Sequence, residues 1–455
     1  MQTKKIYKGA FIIALGGLLS KIAGAVYRVP LTSLLGAEGL GVYQMAFPVY
    51  AMLLDLSSAG VPGAMASLIA SSPEEGNDYL SLAIKIFGAL GLLGSALMIF
   101  LAKPLALFQG DKSAYYIYAV IAPSVVFVGI GSAIRGYFQG QLKMAPTTVS
   151  QLIEQGAKIT VGLVLIYKFA TVKLRVIGAG LAVTISEVFG CLYLIIHYII
   201  TRKKCVDGFC RLDSNSPSTV LPKLTKTIND KRRAKRLIKK VLPISLLSII
   251  FPLSQIADSS LIINLIGVYR TDALKLYGIF SGAVMSIINL PVTVCYGLSA
   301  VAVPILSAKN KEKNQTALII ISTLVLAVLG AIATYIFSPL AVKILFPKLG
   351  EDYKILTYTL IRAGVPIIVF SALLQTLNAV LIAKNRTYKA IVGCLIGCTV
   401  KIILQSILLK NQSLNIFGSV ISLISCYLLA CFFNLLYIKK YADKENSNGK
   451  IHHRK

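Results

Sequence analysis

Charge is what this sequence has least of. Acidic and basic residues together make up 14% of 455 positions, against roughly a quarter in soluble domains, which excludes an ordinary soluble fold. Histidine is nearly absent: there are three, and His452 and His453 sit at the very end, so a histidine-based catalytic or metal centre is excluded. The eight cysteines form no C-x-x-C pair; Cys394 and Cys398 are four apart, and Cys205 and Cys210 are five apart. They read as small buried hydrophobes, and no zinc site or other metal is expected. No G-x-x-x-x-G-K-[ST] motif occurs, which excludes a P-loop ATPase. Tryptophan is missing altogether while Lys and Ile abound, a composition that fits an AT-rich bacterial source.

What is present is apolar sequence, with 56% hydrophobic residues and a mean hydropathy of +0.75. Runs of about 20 apolar residues suit bilayer spans. Twelve are predicted: 9–31, 41–69, 81–101, 114–134, 147–168, 176–200, 241–266, 274–304, 316–338, 355–383, 388–409 and 414–438. The chain is therefore expected to be an all-α polytopic protein of the bacterial cell membrane. The first run lacks a small-residue cleavage site and reads as a retained span. Pro48, Pro62, Pro123, Pro291 and Pro366 fall inside spans, where they break or bend helices.

The net charge of +29 alone would suit nucleic acid, but the location of the charges argues against it. With the N-terminus inside, 30 of the 47 Lys and Arg fall in cytoplasmic segments, 12 at the outer side and five within spans. This is the positive-inside pattern, and it places both termini in the cytoplasm. The 201–240 segment, ending in "DKRRAKRLIKK", holds thirteen of them. It reads as an orientation signal lying against anionic headgroups, with partner recruitment as the lesser reading and no nucleic acid expected.

That segment divides two halves that echo each other. Pro123 and Pro366 stand 243 apart, as do Lys158 and Lys401; Val61-Pro62 and Val303-Pro304 are 242 apart, and Gly178 and Gly418 are 240 apart. A near-constant offset, with spans in the same order, indicates duplication. The expected organisation is a six-helix bundle in 1–200, a basic cytoplasmic linker loop in 201–240, a second six-helix bundle in 241–438 and a cytoplasmic tail in 439–455. With six spans each, the halves share one topology and are related by a pseudo-twofold axis along the membrane normal, the substrate site lying between them.

The stretch "SKIAGAVYRVP", residues 20–30, places Lys21 and Arg28 on nearly one face of the first span. A basic residue near the bilayer centre costs about 2.5–3.5 kcal/mol on insertion scales, so each needs a reason. Lys158, Arg362 and Lys401 also lie within spans, and Arg270 stands at the outer end of the seventh. The acids in the spans are Asp55, Glu154, Glu187 and Asp258, candidates for ion coupling or for partnering the cations. Glu154 and Lys158, four apart, form either a structural bridge or part of a site. Arg28 and Arg270 either snorkel to headgroups or join the deep cations in lining an aqueous path. An excess of cations there selects anions, and Arg and Lys both suit phosphate oxygens.

The order of residues also resembles a known family. Residues 18–70, "LLSKIAGAVYRVPLTSLLGAEGLGVYQMAFPVYAMLLDLSSAGVPGAMASLIA", with "GSAIRGYFQGQ" at 131–141 and "PVTVCYGLSAVAVP" at 291–304, are similar to the stage V sporulation protein B and polysaccharide-export family. That family belongs to the multidrug/oligosaccharidyl-lipid/polysaccharide exporter (MOP) superfamily, which includes the lipid II flippase. The resemblance implies a MATE-like fold and a saccharide carried on polyprenyl pyrophosphate. It also implies flipping from inner to outer leaflet, as for a peptidoglycan precursor of the spore cortex. Ser20-Lys21 matches a basic cavity position on the first helix, and Arg28 falls near a second. Leu54-Asp55 departs from the pattern, standing where the flippase carries basic residues. The lipid II flippase has fourteen spans against the twelve predicted here.

The expectation is thus a flippase rather than an enzyme, needing no cofactor beyond the membrane potential or a cation gradient. Its partners would be the lipid-linked saccharide, membrane lipids and cell-wall synthesis proteins. The alternatives are a cation-coupled multidrug exporter of the same fold, which the cation excess disfavours, and a non-transporting scaffold of a wall-synthesis complex. A membrane glycosyltransferase is disfavoured by outer loops that are short and poor in acids.

Overall fold

A computed structural model describes residues 2–209, 223–295 and 315–452, and the chain is helical almost throughout them. In chain order the helices are α1 (Gln2–Ser58), α2 (Val61–Ser71), α3 (Gly76–Phe100), α4 (Ala102–Phe108), α5 (Tyr115–Ile121), α6 (Ser124–Gly140), α7 (Ala145–Lys168), α8 (Val172–Phe209) and α9 (Lys223–Gly267). Then come α10 (Ala273–Tyr277), which passes through a π-helical stretch Gly278–Val284, α11 (Gln315–Leu345), α12 (Glu351–Ala363), α13 (Val365–Ala383), α14 (Thr387–Leu408) and α15 (Phe417–His452). Among the described residues, eleven helical runs are long and apolar enough to cross a bilayer.

Three features differ from the sequence reading. The first two expected spans lie on one continuous run counted from Ile22 to Ser71, which turns at Gly36 rather than ending there. Gly36 has φ +67°, a region where an L side chain is strained, so glycine suits this turn. The expected span 355–383 is two helices that part at Gly364, with Pro366 in the first turn of α13, where its missing N–H costs nothing. The expected linker loop at 201–240 is helical at both ends, since α8 runs on to Phe209 and α9 begins at Lys223.

The chain groups into two compact units that are not contiguous in sequence. Unit one comprises Met1–Gly24, Tyr50–Ala102 and Tyr116–Ser248; unit two comprises Ala25–Val49, Lys103–Tyr115 and Ile249–Lys455. Part of α1 and the 103–115 segment thus belong with the C-terminal half, and the start of α9 belongs with the N-terminal half. In unit one the core joins Val61, Met65, Phe87 and Phe138 to Leu237 and Val241 of α9. In unit two the α1 segment lies backbone to backbone on the π-helical stretch, because Gly41 and Gly278 carry no side chains to hold them apart. On α11 the exposed residues Leu318, Ile321, Val325, Leu329, Ile332 and Ile336 recur every three or four positions, the stripe a lipid-facing helix presents.

The internal repeat is visible in the backbone itself. Leu142 and Asn385, 243 positions apart, both adopt left-handed conformations, at φ 59° and 56°. Each follows a helix closed by the same pair of bonds. Lys143 N–H donates to Phe138 C=O at 2.9 Å and Leu142 N–H to Gln139 C=O at 3.0 Å. Arg386 N–H donates to Leu381 C=O at 2.8 Å and Asn385 N–H to Ile382 C=O at 2.9 Å. These are Schellman closures in identical register, one in each unit.

Candidate functional site

The ionisable residues at membrane depth fall into several groups, each within one unit. In unit two, Lys401 of α14 is buried and its Nζ lies 2.6 Å from Asp258 Oδ2 and 2.6 Å from Ser254 Oγ, both on α9. A buried ammonium costs several kcal/mol unless it is paired and hydrogen-bonded, and here a carboxylate and a hydroxyl meet it. Lys401 is therefore neutralised by Asp258 rather than held ready for an anion. Asp258 is among the acids expected either to couple an ion or to partner the cations, and here it pairs with Lys401.

In unit one, Arg135 of α6 pairs with Glu154 of α7, and its Nε donates to Ser150 Oγ at 3.1 Å. Lys158, one turn beyond Glu154, acts electrostatically on both Glu154 and Glu187. Tyr50 O–H donates to Glu187 Oε1 at 3.5 Å. The group holds two cations and two carboxylates and is balanced in formal charge. Arg135 stands one residue past the expected span 114–134, and the sequence alone offers Glu154 only Lys158 as a neighbouring cation. The missed signal was that α6 keeps its helical register to Gly140, which carries Arg135 inside the span.

Arg270 lies just past the end of α9 and closes a fork on Asp272, with Nε–Oδ1 at 2.7 Å and a second nitrogen to Oδ2 at 2.8 Å. Tyr353 O–H donates to the same Oδ2 at 2.9 Å. These bonds hold the Asp272 carboxyl below its usual range, the Arg270 fork contributing most. Arg270, expected either to snorkel to headgroups or to line an aqueous path, is engaged by a carboxylate two residues along the chain.

Two of the expected cations meet no carboxylate among the described residues. Arg362 of α12 lies over the rings of Tyr335 and Tyr358, 5.1 and 5.6 Å from their centroids. Its Nε points to the Tyr335 carbonyl at 3.4 Å. Aromatic faces attract a guanidinium without cancelling its charge. Arg28, on the α1 segment of unit two, is exposed and donates to Ser286 Oγ just beyond the π-helical stretch. A hydroxyl partner orients the fork and leaves its charge and its remaining donors for an anion. Asp55 is half-buried near the end of α1; its backbone carbonyl accepts from Ala59 N–H at 3.1 Å, while its carboxyl meets no hydrogen-bond or ion-pair partner among the described residues. Lys21 stands on α1, and its side chain lies outside the described residues. Six described cysteines are buried and form no disulfide among the described residues, as expected for small apolar side chains; Cys398 and Cys426 approach to 3.9 Å.

The polysaccharide biosynthesis protein model matches residues 6–309, two thirds of the chain. The chain belongs to the polysaccharide biosynthesis protein family. Among its relatives, stage V sporulation protein B of Bacillus subtilis (strain 168) is 26% identical, over 97% of this chain and 85% of that protein. Lipid II flippase MurJ of the same organism is 22% identical, over 97% of this chain and 84% of the flippase. Among solved structures, an inward-facing multidrug resistance MATE transporter of the MOP superfamily aligns at a TM-score of 0.74 and 15% identity, covering 96% of this chain and 99% of the transporter. An inward closed conformation of MurJ aligns at 0.69 and 15% identity, covering 94% and 87%. The chain is a multi-pass membrane protein with a MATE-like fold, and the solved structures named here that share this fold are a transporter and a flippase.

Proposed function

We propose that this chain is a flippase that moves a saccharide carried on polyprenyl diphosphate, a peptidoglycan precursor, from the inner to the outer leaflet by alternating access. The relatives named above support the cargo class, and the sporulation relative supports a role in the wall made during sporulation. The observation that carries the reading is Arg28: a guanidinium oriented by a hydroxyl, exposed, and met by no carboxylate among the described residues. Such a fork suits a diphosphate, which offers paired oxygens to paired N–H groups. In this reading the two sequence halves, 1–200 and 241–438, are the elements that alternate, and the register shared at Leu142 and Asn385 supports their common origin. Moving about two negative charges outward across about 100 mV, inside negative, gains roughly 4–5 kcal/mol, enough to drive the step without a bound cofactor.

The test is transport of purified lipid II in proteoliposomes, read as the fraction that becomes accessible to an outer-leaflet reagent. Wild-type protein is expected to accelerate it, and Arg28→Glu to abolish the acceleration at unchanged protein level. Full activity in Arg28→Glu would remove Arg28 from the site, and an inert wild-type protein would favour a scaffold role in a wall-synthesis complex. The Asp55 carboxyl, which meets no partner among the described residues, favours a second reading, a cation-coupled exporter of the MATE kind. That reading requires efflux of an organic cation that Asp55→Asn stops.

A further inference from the structure

The start of α9 presents two chemically distinct faces. One is docked within unit one: Leu237 and Val241 are buried in the core, and Arg233 pairs with Glu75 at 3.2 Å, Asp78 at 3.0 Å and Asp230 at 3.3 Å. Lys240 leaves the rest of the helix's cations to reach Ser67 Oγ at 2.7 Å. The opposite face carries Lys231, Arg232, Lys235, Arg236 and Lys239, all exposed. At 100° per residue these five fall within one stripe, and no acidic residue shares it. Continued along the helix, the same exposed stripe turns apolar at Leu242 and Leu246, which are 47% and 40% exposed. A single outward face that changes from Lys and Arg to Leu within three residues marks the level at which headgroups give way to acyl chains. The basic part covers about 12 Å of helix, and the positive-inside pattern places it at the cytoplasmic leaflet.

We propose that the 231–239 face of α9 is a binding surface for anionic phospholipid headgroups of the inner leaflet. Charge complementarity supplies the attraction, and the leucines directly beyond it supply contact with the same lipids' chains. Three acids of this end of unit one, Glu75, Asp78 and Asp230, gather on Arg233 at the docked face, away from the five exposed cations, and offset them only in part. The proposal rests on the membrane span alone and stands whatever cargo the protein carries.

The experiment is native mass spectrometry of the full chain taken from mixed micelles holding equal amounts of phosphatidylglycerol and phosphatidylcholine. Wild-type protein is expected to retain phosphatidylglycerol preferentially. Lys235→Gln/Arg236→Gln/Lys239→Gln should cut that preference by about tenfold or more, since each cation near an anionic surface contributes measurably. A control removing three charges elsewhere, Lys343→Gln/Lys348→Gln/Lys410→Gln, should leave it unchanged. An undiminished preference in the α9 variant, or an equal loss in the control, overturns the proposal. So does binding of single-stranded RNA by wild-type protein in phosphatidylcholine that the α9 variant loses, because the surface would then serve nucleic acid. Should the α9 variant not fold, the wild type decides: its preference must weaken as salt rises, and a salt-insensitive preference counts against a headgroup surface.

Discussion

The two units treat charge at membrane depth differently. Unit one gathers Arg135, Glu154, Lys158 and Glu187 into one group in which cations and carboxylates are equal in number. Unit two closes Lys401 onto Asp258 and leaves Arg28 and Arg362 facing a hydroxyl and two aromatic rings. The same ancestral plan, with Lys158 and Lys401 at matching positions, therefore supports two outcomes. Lys401 and Arg135 each join two helices through a carboxylate, whereas Arg28 and Arg362 meet none among the described residues. Depth alone does not tell which cations are paired; the packing of the helices does.

The comparison breaks most readily at the buried pair of unit two. Asp258→Ala leaves the Lys401 ammonium buried and uncompensated, and the expected loss of stability is about 3–5 kcal/mol, read as a fall in thermal midpoint in detergent. Asp258→Leu combined with Lys401→Met should recover most of it, because a well-packed apolar pair replaces the ions. A double variant as unstable as Asp258→Ala would mean that the pair does more than satisfy itself. In unit one, Glu154→Gln keeps an acceptor for Arg135 and leaves Glu187 nearby, so a smaller loss of about 1–3 kcal/mol is expected. Equal losses at Glu154 and Asp258 would erase the contrast between the units.

The sequence made the spans plain, since hydropathy reports burial in lipid directly, and it exposed the repeat through Pro123 and Pro366. It did not reveal which charges meet. Asp258 and Lys401 are 143 positions apart, and only the packing of α9 on α14 joins them. Glu154 had a cation in view one helical turn away, yet Arg135 took it, because α6 runs further than its apolar stretch suggests. Asp272, by contrast, stands only two residues from Arg270, but it lies beyond the span's end, outside the set of acids within spans. The Schellman closures were equally hidden, since Leu142 gives no glycine or asparagine signal for a left-handed cap.

That last difference yields a gentler probe. Leu142→Gly relieves a side chain held at φ 59° and is expected to stabilise by about 1 kcal/mol, whereas Asn385→Gly should change stability by only a few tenths. Thermal midpoints of the two variants test it, and equal shifts would show that the two closures do not differ in strain. The smallest effect is expected at Arg270. The Asp272 carboxyl is held low in the folded protein, so its contribution is present above the unfolded value near 4 and fades as pH falls through the lower folded value. Arg270→Gln should lower the midpoint slightly at pH 7, and the difference should shrink below about pH 4. A gap that widens in acid would reverse the sign of the account.

The central claim is that Arg28 is a cation kept available for the anionic part of a lipid-linked cargo. Its most direct test is the rate at which reconstituted protein exposes lipid II at the outer leaflet, compared across wild type, Arg28→Lys and Arg28→Glu. The account predicts that charge reversal lowers the rate by about a hundredfold or more, equivalent to roughly 3 kcal/mol, with partial retention in Arg28→Lys and unchanged thermal midpoints. Wild-type flipping in Arg28→Glu would contradict it.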